Sequence, residues 1–255
     1  ASDVYKRQGN TNITLGLFEE SALVEEFRLA SDKDLSLEEY EVLLKSLFCN
    51  YNIDGCIISS VVEELNNKFK SALINVFKVE PIFLSAKINT GVKIKMPNLD
   101  EVGADRIANA AGAYILYKHP VIVIDFGTAT TFDIVNPQGE FIGGVIAPGI
   151  NLQLKTLNKF TSKLPRIDAA VSPSAIGNNT VDAILSGVIR GCACMIDGLV
   201  EQCEKELGEK AVIVATGGYS AYISEYMKRP FDFINPTLTL EGLRHLYNIN
   251  KLVEV

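Results

Sequence analysis

One structural plan occurs twice in this chain. "RQGNTNITLGLF" (Arg7–Phe18) and "DFGTATTFDIV" (Asp125–Val135) each read as a glycine turn set among small hydroxyl or amide side chains and followed by a strand, with Gly9 aligned to Gly127. Such turns leave the backbone uncovered, so its N–H groups can approach an anion closely. "GNTNITLG" from Gly9 therefore reads as a β-hairpin that holds a phosphate. A duplicated hairpin of this kind predicts two similar α/β domains with a nucleotide between them. Two unrelated hairpins with glycine turns are the alternative open at this point.

The copies differ two residues before the glycine, where the second has Asp125 and the first has Arg7. A phosphate hairpin needs an apolar strand to deliver it, and a carboxylate at the strand's end serves to hold a metal ion. The chain instead supplies Lys6, Arg7 and Gln8 and does not begin with methionine. Residues 1–8 are therefore expected to be a non-native leader, with the true first strand missing. An arginine at position 7 can meet a phosphate but cannot ligate Mg²⁺.

Alternation and short apolar runs predict strands at Ile13–Phe18, Glu26–Ala30 and Ile53–Ser59. "SLEEYEVLLKSLF" (Ser36–Phe48) predicts a helix capped by Ser36, and Val61–Leu73 a second one. Strands near Pro81–Leu84 and Val92–Lys95 precede a long alanine-rich helix from about Asp100 to Lys118. The pattern restarts at Pro120 with strands Val121–Asp125, Thr130–Asn136 and Phe141–Ile146, the last two joined by the turn "NPQG". A helix at "PGINLQLKTLNKF", a helical stretch Thr180–Leu207, a strand Ala211–Thr216 and a terminal helix complete the order. This divides the chain into an N-terminal domain, 1–118, and a C-terminal domain, 119–255.

A net charge of −7, with no basic stripe, argues against a nucleic-acid partner. Apolar runs such as Val121–Asp125 are too short to cross a bilayer and no signal-peptide pattern precedes them, so no membrane partner is expected. Five cysteines at scattered spacing read as free thiols of a reducing compartment, and cytoplasm is the default location. Only two histidines, His119 and His245, are present, so a histidine-centred metal site or catalytic triad is not expected.

A third glycine turn, "TGGYS" (Thr216–Ser220), follows an apolar strand and opens a helix. Gly217 and Gly218 would let the backbone lie against a flat base or ribose, and the helix N-terminus favours a nearby anion. With these segments stand "SSVV" (Ser59–Val62), "EVGADRIANA" (Glu101–Ala110), "GGVIAPG" (Gly143–Gly149) and "IGNNTVDAILSG" (Ile176–Gly187). From Gly9 onward this series resembles the type III pantothenate kinases, of the superfamily of acetate kinase, sugar kinases and actin.

The resemblance implies an α/β fold of two similar actin-like (ribonuclease H-like) domains, each a mixed sheet flanked by helices, with the nucleotide cleft between them. It implies ATP-dependent phosphorylation of pantothenate, the first step of coenzyme A biosynthesis. Asp105 of "GADR" would be the general base, and Gly103, Ala104, Asp105 and Arg106 would line the pantothenate pocket with Thr180 and the residue at Met96. ATP with Mg²⁺ would be held by Gly9, Asn10, Thr11, Asn12, Ile13 and Thr14 of the first hairpin, with Thr128, Gly217 and Gly218. Asp125 matches the family's ligand for a monovalent cation, K⁺ or NH₄⁺. Family members are homodimers, so a homodimer is expected.

The chain departs from the family pattern in several places. Asn178 stands where lysine is usual, Met96 and Leu99 stand where tyrosine and proline are common, and Arg7 stands where the pattern has aspartate. These departures leave two other readings: a non-catalytic, transcription-accessory regulator on the same scaffold, or a kinase for another small hydroxyl compound.

Overall fold

The computed structural model describes residues 2–8, 12–30, 32, 34–60, 63–117, 120–171 and 174–251. The chain divides into two units, one made of 1–112 with 238–255 and the other of 113–237.

In the first unit β1 (Ser2–Gln8), β2 (Asn12–Glu19) and β3 (Ala22–Ala30) form an antiparallel run. Helix α1 (Leu37–Leu47) leads to β4 (Ile53–Ser60), which lies parallel to β1. Helix α2 (Glu63–Phe77) then leads to β5 (Ile82–Phe83), giving the sheet order β3-β2-β1-β4-β5. The short strand β6 (Lys93–Ile94) follows, and α3 (Ala104–Leu116) runs from the first unit into the second.

Residues 2–8, expected to be a leader outside the fold's own first strand, therefore form a strand at the centre of this sheet. β2 and β4 offer facing rows of main-chain N–H and C=O groups, and a strand between them pairs those rows whatever side chains it carries. The penalty falls on the side chains instead: Lys6 is fully buried in the apolar layer between sheet and helices.

That layer joins Val4, Ile13, Leu15, Cys56 and Ile58 of the sheet to Tyr40, Leu44, Phe69 and Leu73 of α1 and α2. Helix α1 starts where the sequence predicts, because Ser36 Oγ accepts from Glu39 N (3.2 Å) while Glu39 Oε2 accepts from Ser36 N (2.8 Å).

In the second unit β7 (Val121–Phe126), β8 (Ala129–Val135) and β9 (Glu140–Pro148) again form an antiparallel run. Helix α4 (Ile150–Lys159) is followed by α5 (Thr180–Leu185), a π-helical turn at Ser186–Arg190 and α6 (Gly191–Leu207). β10 (Val212–Gly217) lies parallel to β7, and α7 (Ser220–Ser224) leads to β11 (Phe233–Ile234), parallel to β10. Within this unit the strands run β11-β10-β7-β8-β9. Strand for strand, with the same parallel and antiparallel pairings, this repeats the first unit. The duplicated hairpins open duplicated sheets.

Two expectations change. The terminal helix α8 (Leu238–Lys251) belongs to the first unit rather than to the second half of the chain. Its Gly242 and Gly112 of α3 let the helices touch: a Cβ on Gly242 would overlap the Ala108 carbonyl oxygen. Thr239 Oγ1 donates to Asn109 Oδ1 (2.7 Å) in the same buried seam.

The helical stretch Thr180–Leu207 is long and apolar enough to cross a membrane by length and composition, unlike the short runs read from sequence. Its Ile184, Val188, Ile189, Ala193, Ile196 and Val200 are built into the core against Ile122, Ile124 and Ile213.

Candidate active site

The carboxyl ends of β7 and β10 lie side by side, and three glycines shape what meets there. Gly217 adopts φ +87°, and a Cβ on it would lie 2.6 Å from the Phe126 carbonyl oxygen. Only glycine allows that turn to close over the β7 backbone. Gly149, at the N-cap of α4, donates its N–H to Thr128 O (3.1 Å), and a Cβ there would overlap the Thr128 carbonyl oxygen. Gly127 N–H donates to Ala129 O (3.0 Å), closing the hairpin itself. The β7–β8 turn is thus held from both sides by main chain.

This arrangement gathers Asp125, Thr128, Gly217 and Gly218, which the sequence reading assigned to cation and ATP. Asp125 is 3% exposed on β7, in register with Thr131 of β8 and Thr216 of β10. Thr128 and Gly218 are exposed. Beyond Gly218, Tyr219 Oη donates to Asn151 Oδ1 in the first turn of α4 (2.9 Å), and Ser220 Oγ donates to Gly217 O (2.9 Å). Gly149, Tyr219 and Asn151 were not singled out from sequence. Gly149 closes the quoted "GGVIAPG" segment, so its turn chemistry was the available signal.

Thr180 stands apart from this group. It is the first residue of α5, exposed, behind an N-cap in which Asn179 Oδ1 accepts from Asp182 N (2.9 Å). It lines an apolar cavity of about 750 Å³ with Leu152, Leu157, Leu164, Ile184 and Val188, and none of Asp125, Thr128, Gly217 or Gly218 lines that cavity.

In the first unit, "GADR" forms the N-terminus of α3, where Gly103 O accepts from Ile107 N (3.1 Å). Asp105 Oδ1 accepts from Arg106 N (2.9 Å), and a Cβ on Gly103 would lie 2.8 Å from that same oxygen. The missing side chain of Gly103 is what leaves room for the Asp105 carboxylate. Asp105, Arg106 and Met96 are half-buried and Ala104 is buried. The approach to α3 is braced by Asn98, whose Nδ2 donates to Glu101 Oε1 (2.7 Å).

Gly9, Asn10 and Thr11 lie outside the described residues, as do His119, Val61 and Val62. Asn12, Ile13 and Thr14 open β2, paired with β3, and Ile13 and Thr14 also pair with β1. The Ile13 side chain is buried in the core and offers nothing to a ligand.

Among the described residues no group of three or more His, Cys, Asp or Glu side chains could hold a metal ion. A cation at Asp125 therefore fits only with hydroxyl, carbonyl, phosphate or water oxygens completing its shell. The buried Thr216 Oγ1, which makes no hydrogen bond among the described residues, is one such oxygen beside Asp125.

Comparison with known proteins extends this picture. The sequence profile of the type III pantothenate kinases matches residues 7–202. A type III pantothenate kinase of Dehalococcoides mccartyi (strain CBDB1) is 44% identical over 249 residues, 96% of this chain and 94% of the relative. One from Roseiflexus sp. (strain RS-1) is 41% identical, covering 95% of this chain and 97% of the relative. Among solved structures, a Baf-family protein from Campylobacter jejuni aligns with TM-score 0.64 at 21% identity, covering 98% of this chain and all of that one. A ROK family glucokinase from Streptomyces griseus aligns with TM-score 0.50 at 13% identity, covering 96% and 99%. At those identities the structural likeness establishes the fold, the α/β architecture of actin-like sugar kinases. The sequence similarity is more specific, because it runs through both units and not through one hairpin: the chain belongs to the type III pantothenate kinase family.

Proposed function

We propose that this chain transfers the γ-phosphoryl group of ATP to pantothenate, giving 4′-phosphopantothenate and ADP in the first step towards coenzyme A. The observation that carries this reading is near-full-length similarity to type III pantothenate kinases at 44% identity. Within it, Asp105 takes the proton of the attacking hydroxyl, a P–O bond forms to γ-phosphorus, and the bond to the β,γ-bridging oxygen breaks. The room left by Gly103 supports a carboxylate in that role, since a base needs fixed position before any tuned pKa. Gly103, Ala104 and Arg106 hold pantothenate with Met96 and Thr180.

ATP with a divalent ion follows from the kinase family. Gly9 to Thr14, Thr128, Gly217 and Gly218 are proposed to hold it. Asp125 is proposed to hold K⁺ or NH₄⁺, which supplies positive charge against the phosphates when bound. A homodimer in the cytoplasm completes the reading, and the two compact units are proposed to be its two actin-like domains.

A non-catalytic regulator is the competing reading, favoured by Arg7 at the position of the expected carboxylate. Pantothenate-dependent ADP release separates them, measured on this chain and on Arg7→Asp. Release that depends on pantothenate, stronger in Arg7→Asp, supports the kinase. Silence from both folded proteins favours the regulator.

A further inference from the structure

We propose that Thr216 is a ligand residue of the monovalent-cation site, its hydroxyl oxygen set beside the Asp125 carboxylate. The inference rests on the proposed cation role of Asp125 and adds a residue to it. Thr216 pairs in register with Asp125 across the parallel strands β10 and β7. Adjacent strands lie about 4.8 Å apart, and partners in register point to the same face of a sheet. Their neighbours Ala215 and Ile124 point the other way, into the core.

Thr216 is 0% exposed, and its Oγ1 makes no hydrogen bond among the described residues. A fully buried hydroxyl without a partner is unusual in a folded protein and calls for an unseen water or ion. Its oxygen has two lone pairs, and a hard cation takes oxygen ligands. The next residue, Gly217, turns over the β7 backbone at positive φ, close to Phe126. A buried carboxylate and an orphaned hydroxyl on the same face of the sheet together form a small oxygen-lined seat for a dehydrated monovalent ion. The hydroxyl would set how tightly that ion is held and leave the phosphoryl chemistry to other groups.

The test reads binding apart from turnover. Thermal unfolding of the full chain is followed against KCl, with choline chloride keeping ionic strength constant. Thr216→Val should raise the half-saturating K⁺ concentration about tenfold or more, the scale seen when groups around a metal are removed. Thr216→Ser, which keeps the oxygen, should stay close to the parent. Thr130→Val is the control: Thr130 Oγ1 is also buried and without a hydrogen bond, but Thr130 pairs with Phe126 and so faces away from Asp125. It should leave the K⁺ response unchanged. Should Thr216→Val not fold, Thr216→Ala takes its place against Thr216→Ser.

An unaltered K⁺ midpoint in the folded Thr216 variant, or an equal shift in Thr130→Val, overturns the inference and leaves the kinase reading intact. A parent chain that releases ADP with pantothenate but shows no K⁺ stabilisation overturns it as well. If the parent and Arg7→Asp both fold but show neither K⁺ stabilisation nor pantothenate-dependent ADP release, the kinase reading falls, and this inference with it.

Discussion

The ammonium nitrogen of Lys6 lies 3.4 Å from the centre of the Phe69 ring, inside the apolar layer of the first unit. The Nζ makes no hydrogen bond among the described residues, and burial pushes the amine down to about 7. The ring face attracts the charged form but does not replace water. Between about pH 7 and the ordinary lysine value near 10.5 the unfolded chain binds the extra proton, so stability should rise with pH across that window. Below pH 7 both states are charged and the full burial penalty applies. Lys6→Met should raise the melting temperature most at pH 6–7 and flatten this dependence. Urea midpoints of both proteins at several pH values check it; parallel curves would refute it.

Gly217→Ala should damage the second unit. Its φ of +87° and the 2.6 Å approach of a Cβ to the Phe126 carbonyl oxygen leave no space for a methyl group. A loss of about 1–3 kcal/mol is expected from strain of this kind, with a rise in KM for ATP. Denaturant unfolding and ATP titration of the same protein measure both effects. An unchanged ATP response would remove Gly217 from the proposed nucleotide contacts.

Glu204 ties the end of α6 to the start of β10. Its carboxylate accepts from Arg229 Nη1 (2.6 Å), Lys210 Nζ (2.7 Å) and Ala211 N (3.0 Å). Burial raises the carboxyl, but the donors from Lys210, Arg229 and Ala211 outweigh it and hold the group below its ordinary value of 4.5. Its contribution is therefore present above pH 4.5 and lost as pH falls through the lower, folded value. Glu204→Ala should cost on the order of 2 kcal/mol at neutral pH, since a main-chain donor and part of a guanidinium lose their acceptor. That difference should shrink below pH 4, which acid titration of the two unfolding midpoints would reveal.

Asp105→Asn should lower the kcat for pantothenate-dependent ADP release by about 10²–10⁴, the range for loss of a positioned base. The amide oxygen can still accept from Arg106 N, so the melting temperature should hold. A variant with near-normal kcat would remove the proposed general-base role from Asp105.

The site was legible in sequence where its chemistry is local. Glycine turns after short strands marked the hairpin at Gly127 and the turn at Gly217, and at Gly217 positive φ and close backbone approach demand that residue type. The Ser36 cap was readable for the same reason, its partner Glu39 being three residues away. The duplicated order of elements followed from repeated local pattern, and the strand-for-strand match of the two sheets bears out that reading.

Tertiary structure decided the rest, through contacts between residues distant in sequence. By itself the sequence determined the two hairpins, their glycines and most of the helices. It could not show that Ser2–Gln8 becomes a central strand, since that depends on edges offered by β2 and β4 and not on the segment's own charged side chains. Nor could it place α8 with the first unit, where the glycines at 112 and 242 make the seam with α3. Thr216 was one polar residue ahead of a glycine turn until the β10–β7 register set it beside Asp125. Local turn chemistry acts over a few residues, whereas strand register and the burial of a hydroxyl or an ammonium group exist only once distant segments pack.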